Sequence, residues 1–200
     1  MLIKNEFEVA QPVDKVWAFF QDVPGVAACL PGAELTEDLG DDKYAGRVGI
    51  RMGPVKLEFD GQAAVVERDE AARRMVIDAA GSDQKGRGQA SMRITAQLSE
   101  AGGKTTVAVD QDLEISGAAA QYGRGMISDV TQVLMGQFAS TMQERIAAVE
   151  RGESLEQFEG RQASGFAIGV QAAKLALMRV FARFFLPYRP EDHQPVRGGS

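Results

Sequence analysis

The residue types that usually carry covalent or metal chemistry are scarce in this chain. Its one histidine, His193, stands in a polar C-terminal stretch, and its one cysteine, Cys29, lies in Ala27-Ala28-Cys29-Leu30-Pro31-Gly32. One of each leaves no disulfide framework and few options for a zinc site, a haem ligand or a thiolate–imidazole pair. No base neighbours Cys29 in sequence, so it reads as a small buried hydrophobe. Asp110, Asp112 and Glu114 recur at every second residue. They read as one row that makes cross-strand pairs or faces water, without calcium spacing or a separated acid–base couple. Gly86-Arg87-Gly88 and Gly123-Arg124-Gly125 resemble phosphate-cradling loops only superficially, because neither follows strand–loop–helix order. The second falls within a predicted helix, where each glycine costs about 1 kcal/mol relative to alanine. Close approach of that helix to a sheet or ligand, or tight packing, is expected to compensate.

What the chain has instead is apolar surface and a partition of charge. Residues 1–159 hold 26 acidic and 16 basic side chains. Residues 160–190 hold no acid and five bases: Arg161, Lys174, Arg179, Arg183 and Arg189. That stretch is also the most apolar of the chain. Its cations interrupt the apolar run, which disfavours a membrane-spanning helix. An interfacial helix is expected, with Phe166, Lys174, Arg179, Phe181, Arg183, Phe184 and Phe185 meeting an anionic membrane. Docking on a partner or on its own domain is the alternative. The net charge of −6 argues against nonspecific nucleic-acid binding. The N-terminus lacks a basic stretch followed by an apolar core, so a cytoplasmic protein is expected, associated peripherally with the inner face of the membrane.

The elements that must position the apolar residues follow from periodicity. Leu2 to Ala10 reads as a strand, and Pro12 to Gln21 as a short helix with Val13, Val16, Trp17 and Phe20 on one face. From about Ala33 to Ser116 the period is two. Val48, Ile50 and Met52 alternate with Arg47, Gly49 and Arg51, then Gly53-Pro54 turns into Val55, Leu57 and Phe59. Further strands are expected at about 72–82, 87–99 and 104–115. The alternation implies antiparallel strands with one wet face. Gly117 to Arg151 reads as one long helix, with Tyr122, Met126, Val130, Val133, Leu134, Phe138, Met142, Ile146 and Val149 on its apolar side and Glu144 and Arg145 opposite. The predicted ligand-binding set is Val48, Ile50, Met52, Leu57, Phe59, Met92, Ile94, Val107, Val109, Tyr122, Met126, Val130 and Leu134. Small residues on the same walls, among them Gly61, Ala63, Ala79 and Ala90, would leave room between them, and methionines tolerate a variable apolar guest.

This order predicts an α+β helix-grip fold: a curved antiparallel sheet wrapped around a long C-terminal helix, with an appended amphipathic tail helix. It is the arrangement of the START-like (SRPBCC) superfamily. The motifs narrow it. Val16-Trp17 with Asp22-Val23-Pro24, Cys29-Leu30-Pro31-Gly32-Ala33-Glu34, Met52-Gly53-Pro54-Val55, Phe59-Asp60-Gly61 and Ile115-Ser116-Gly117 resemble the carbon monoxide dehydrogenase G-subunit (CoxG) family over residues 1 to about 150.

The resemblance implies a non-catalytic accessory protein that serves a molybdenum hydroxylase of the carbon monoxide dehydrogenase type. Its partners would be an apolar small molecule, a quinone or lipid, and a membrane surface. No cofactor, metal or nucleic acid is implied. Two alternatives stand beside it: a membrane-recruitment factor with no ligand, and an enzyme of the polyketide cyclase kind, which the fold also hosts. The expected organisation is a ligand-binding domain over 1–151, a polar linker over 152–164, the cationic tail helix over 165–186 and a disordered end over 187–200.

Overall fold

The computed structural model describes residues 1–52 and 55–152. Met1–Arg151 form one compact unit. The expected linker beyond Gly152, the tail helix with its membrane-binding set and the last residues lie outside the described residues.

Seven strands form one antiparallel sheet: β1 (Leu2–Val9), β2 (Ala33–Gly40), β3 (Lys43–Met52), β4 (Val55–Asp69), β5 (Arg74–Asp83), β6 (Gln89–Ala101) and β7 (Lys104–Ile115). Their spatial order is β1-β7-β6-β5-β4-β3-β2. Consecutive strands β2 to β7 pair as a meander, and β1 closes on β7 from Leu2↔Asp112 to Val9↔Thr105. Between β1 and β2 lie α1 (Val13–Gln21) and α2 (Val23–Cys29). Asp22 caps α2 by accepting a hydrogen bond from the Gly25 amide at 3.1 Å. A short 3₁₀ turn, Gly117–Tyr122, precedes α3 (Gly123–Glu150). The long helix predicted from Gly117 therefore begins six residues later, because Gly123 sits at φ +63°, outside the helical region.

Close backbone approach shapes the middle of the sheet. Gly61 pairs with Gly46 on one side and Gly81 on the other. A Cβ added at Gly61 would stand 2.2 Å from the Ala80 carbonyl oxygen. No side chain fits there.

The core is built against the second half of α3. Val9, Val16, Trp17, Phe20, Leu98, Val107, Phe138, Met142 and Ile146 form one buried cluster. Phe138 meets Phe7 and Phe20 edge-on, with ring centroids at 6.0 and 6.5 Å. Glu150, at the C-terminal end of α3, accepts hydrogen bonds from Gln11 and Lys15. Arg145, predicted on the polar side of the helix, is buried at 4% exposure. It lies toward α2, its guanidinium beside Gly25 and Cys29.

Candidate functional site

The strand registers resolve the inner face of the sheet into rows. In the first, Asn5 faces Val109, which faces Ala96. The next runs Ile3, Gln111, Ile94, Ile77, Val65. Then come Leu113, Met92, Ala79, Ala63, Tyr44 and, after them, Ile115, Ala90, Gly81, Gly61, Gly46. Beyond lie Phe59 opposite Val48 and Leu57 opposite Ile50. The first two rows belong mostly to the large buried cluster, whose partly buried members include Ile94, Ile77 and Val65. At the far end Leu57 is buried among Ile50, Phe59, Ile115 and Val130. Two apolar clusters thus flank two rows made largely of glycine and alanine.

The helix opposite is packed unevenly. Phe138, Ala139, Met142, Arg145, Ile146 and Ala148 are buried, and every buried residue of α3 lies in this second half. In the first half Val130 reaches the Leu57 cluster and Met135 reaches the large one. Leu134 is half-buried. Met126 is 48% exposed and Val133 60%. The predicted apolar side of α3 is therefore buried only from Phe138 onward, and Val149, at 60% exposure, also departs from it. A Cβ added at Gly123, Gly125 or Gly136 would meet open space. Among the described residues, no side chain makes the close approach expected to compensate for these glycines.

The predicted binding residues divide accordingly. Ile50, Leu57, Phe59 and Val130 come together in one cluster. Met92 borders the small-residue rows, and Ile94 stands one row nearer the core. Val107 and Val109 are buried within the packed core. Val48, at 39% exposure, and Met126 stand outside it. The side chains of Met52 and Tyr122 lie outside the described residues. Gly61, Ala63, Ala79 and Ala90 line up as adjacent small positions. Two open depressions of about 650 and 520 Å³ lie on the other side of the sheet, around Gln62, Ala80 and Ser91. Neither is lined by α3.

Sequence reasoning missed three polar features. Asn5 and Gln111 occupy the apolar phase of β1 and β7, between Ile3 and Phe7 and between Val109 and Leu113. A polar residue at an apolar phase was the signal. The third lies one row beyond the glycine row, at the end of β5. Asp83, opposite Phe59, has no exposed side-chain surface. Arg87 clamps it with two hydrogen bonds of 2.8 and 2.7 Å. The amides of Glu58, Lys85 and Arg87 add three more. Arg87, foremost among these donors, holds the carboxyl well below the usual carboxylate range. The Gly86-Arg87-Gly88 loop is thus a clamp on its own sheet. It also abuts Gly117, at φ +73°, where a Cβ would come 2.5 Å from the Arg87 carbonyl oxygen.

The carboxylate row is solvated and paired. Asp110 accepts from Lys4 at 3.1 Å, and Asp112 from the N-terminal amine at 3.2 Å. Arg47 bridges to Asp60 at 3.0 Å. Burial pushes the Cys29 thiol up to about 11, with Arg145 pulling in the opposite direction. Such a thiol is protonated at neutral pH and is a poor nucleophile. Among the described residues no group of three His, Cys, Asp or Glu could hold a metal ion. None of the described helices is long and apolar enough to cross a membrane.

Solved structures share this architecture at low identity. A conserved protein from Geobacillus kaustophilus is 22% identical with a TM-score of 0.66, over 74% of this chain and 95% of that one. The Zhui aromatase/cyclase from Streptomyces sp. R1128 is 15% identical with a TM-score of 0.55, over 74% and 94%. A protein from Thermus thermophilus is 16% identical with a TM-score of 0.54, over 74% and 99%. At these identities the likeness shows the fold alone, and that fold is the START-like helix grip. No curated protein matches the sequence. The sequence does match a family description over residues 6–147, which contain nearly all of the sheet and most of α3, and the chain belongs to the carbon monoxide dehydrogenase G-subunit (CoxG) family.

Proposed function

We propose that this chain is a non-catalytic accessory protein that holds one apolar molecule between the sheet and the first half of α3. The observation that carries this reading is the pair of small-residue rows through Ala79–Ala63 and Gly81–Gly61. They lie between two apolar clusters and face a helix half with no buried residue. Apolar clefts with few polar groups are the common form of small-molecule sites. The ligand is a membrane quinone or lipid, and the enzyme served is a molybdenum hydroxylase of the carbon monoxide dehydrogenase type. Family membership supports that partner class. The apolar, cationic sequence of residues 160–190 supports peripheral contact with the inner face of the membrane.

The test is extraction. The full chain is incubated with vesicles doped with a long-chain quinone, separated from them and extracted with solvent. Quinone or phospholipid should leave the vesicles with the protein in a ratio approaching one to one. Protein that emerges empty would overturn the carrier reading. The charge partition of the sequence favours the second reading, recruitment of the enzyme to membrane without a ligand. In that case the full chain would float with anionic vesicles and a chain ending at Gly152 would not, while neither carried quinone. The cyclase alternative draws on a structural likeness that reports fold alone.

A further inference from the structure

Asn5 is the polar residue in the inward phase of β1, which otherwise reads Ile3, Phe7 and Val9. Its partner across the ladder is Val109, which is 4% exposed. Directly opposed residues share a face, so the carboxamide enters the apolar interior. Its Nδ2 is buried and finds no hydrogen-bond partner among the described residues. A buried donor left unpaired is costly, and a native one calls for an explanation. Gln111 lies diagonally across, opposite Ile3 and Ile94, and is 5% exposed. Diagonal neighbours stand roughly 7–8 Å apart, within reach of long side chains. Gln111 sits where the packed cluster gives way to the small-residue rows, because the next row beyond it is Leu113, Met92, Ala79 and Ala63, and Asn5 stands one row deeper, beside Val109 and Ala96.

The second orphaned donor, Trp17 Nε1, has a different setting. Trp17 packs in the large cluster with Arg73 over its ring at 5.8 Å. Asn5 is the orphan that stands diagonal to a second carboxamide, with one row between it and the small-residue rows.

We propose that Asn5, with Gln111 beside it, is the polar anchor of the cleft and donates a hydrogen bond to a carbonyl oxygen of the bound molecule. The assignment rests on the carrier reading above and narrows it: the ligand is apolar but carries a hydrogen-bond acceptor at the end that reaches deepest. A ring carbonyl of a quinone and the carbonyl of a lipid ester share that chemistry. A pure hydrocarbon does not.

The test compares the partition of three probes between the full chain and phosphatidylcholine vesicles. The probes are decylubiquinone, methyl palmitate and dodecylbenzene, the last lacking a carbonyl. Asn5→Leu removes the donor at similar volume, and Asn5→Ala serves if the leucine does not pack. Affinity for the carbonyl-bearing probe should fall about tenfold, the scale of one buried hydrogen bond, with dodecylbenzene unchanged. A loss confined to decylubiquinone assigns the anchor to a quinone ring. A loss confined to methyl palmitate assigns it to a lipid ester. Unchanged binding of all three probes would overturn the anchor, leaving Asn5 to an ordered water. An equal loss for all three would overturn it as a packing effect. If the unaltered chain takes up none of the probes, the carrier reading fails and the anchor with it.

Discussion

The two ends of the inner face are made from the same materials and do opposite things. At one end β1, β6 and β7 present Val9, Leu98 and Val107 to Phe138, Met142 and Ile146, and the contact is closed. At the other end β3, β4 and the first half of α3 present a comparable set of apolar residues, yet among the described residues Leu57 alone is buried there, with Ile50, Phe59, Ile115 and Val130 partly covered. Between them the sheet offers glycine and alanine. The helix has one apolar period along its length, but its two halves meet different surfaces. One half meets branched and aromatic side chains that bury it, and the other is only partly covered, through Val130 and Met135. On the carrier reading, stability and binding are therefore separated along a single helix.

The sharpest contrast is expected from truncating each half. Met142→Ala removes a fully buried side chain and should cost about 2–5 kcal/mol. Val133→Ala, at a site 60% exposed, should change stability by about 0.5 kcal/mol or less. Urea melts of both variants check this. Similar losses would mean that the first half of the helix is packed as well.

Asp83 fixes the loop beside the Leu57 cluster. Its carboxyl titrates below the ordinary range because Arg87 and three amides hold its charged form. A depressed pKa in the folded state means that the unfolded chain takes up the proton first. The stabilisation is then fully present above the ordinary carboxylate value of about 4 and is lost as the pH falls below it. Asp83→Asn should lower the melting temperature at pH 7 and flatten its decline in acid. A variant that declines as steeply in acid as the parent would assign the acid sensitivity to other groups.

The smallest effect is expected at Gly136, inside α3, where an added Cβ meets nothing within 4 Å. Gly136→Ala should raise stability by roughly 0.5–1 kcal/mol through helix propensity alone. A loss would place a contact there that the described residues do not make.

The fold was legible because its signals are local. Alternation from Val48 to Phe59, the Pro12 helix and the long apolar period after Gly123 all write their period into the chain. The uneven packing of α3 was not legible. Met126 and Phe138 were placed on one apolar side, but twelve residues at 3.6 per turn set them about 120° apart, and Met126 stands off the face that Phe138 buries. Arg145 failed for another reason: a charged residue was placed on the wet face, but α2 covers it. The small residues of the walls were read correctly as candidates, but their alignment into adjacent rows depends on register across three hairpins. Asn5 and Gln111 carried a visible signal, a polar residue in apolar phase, which becomes an argument only when their partners are known to be buried.

The central claim is that the small-residue rows are empty for a ligand rather than merely loose. Ala79→Phe places a ring beside Met92 and Ala63, and Val149→Trp adds the same kind of bulk at an exposed position in the second half of α3. Native mass spectrometry of the two variants and the parent, each purified from membrane-containing extract, separates the cases. The account predicts one apolar adduct per chain in the parent and in Val149→Trp, and none in Ala79→Phe, with all three melting cooperatively. An adduct of equal abundance in a folded Ala79→Phe variant would contradict it.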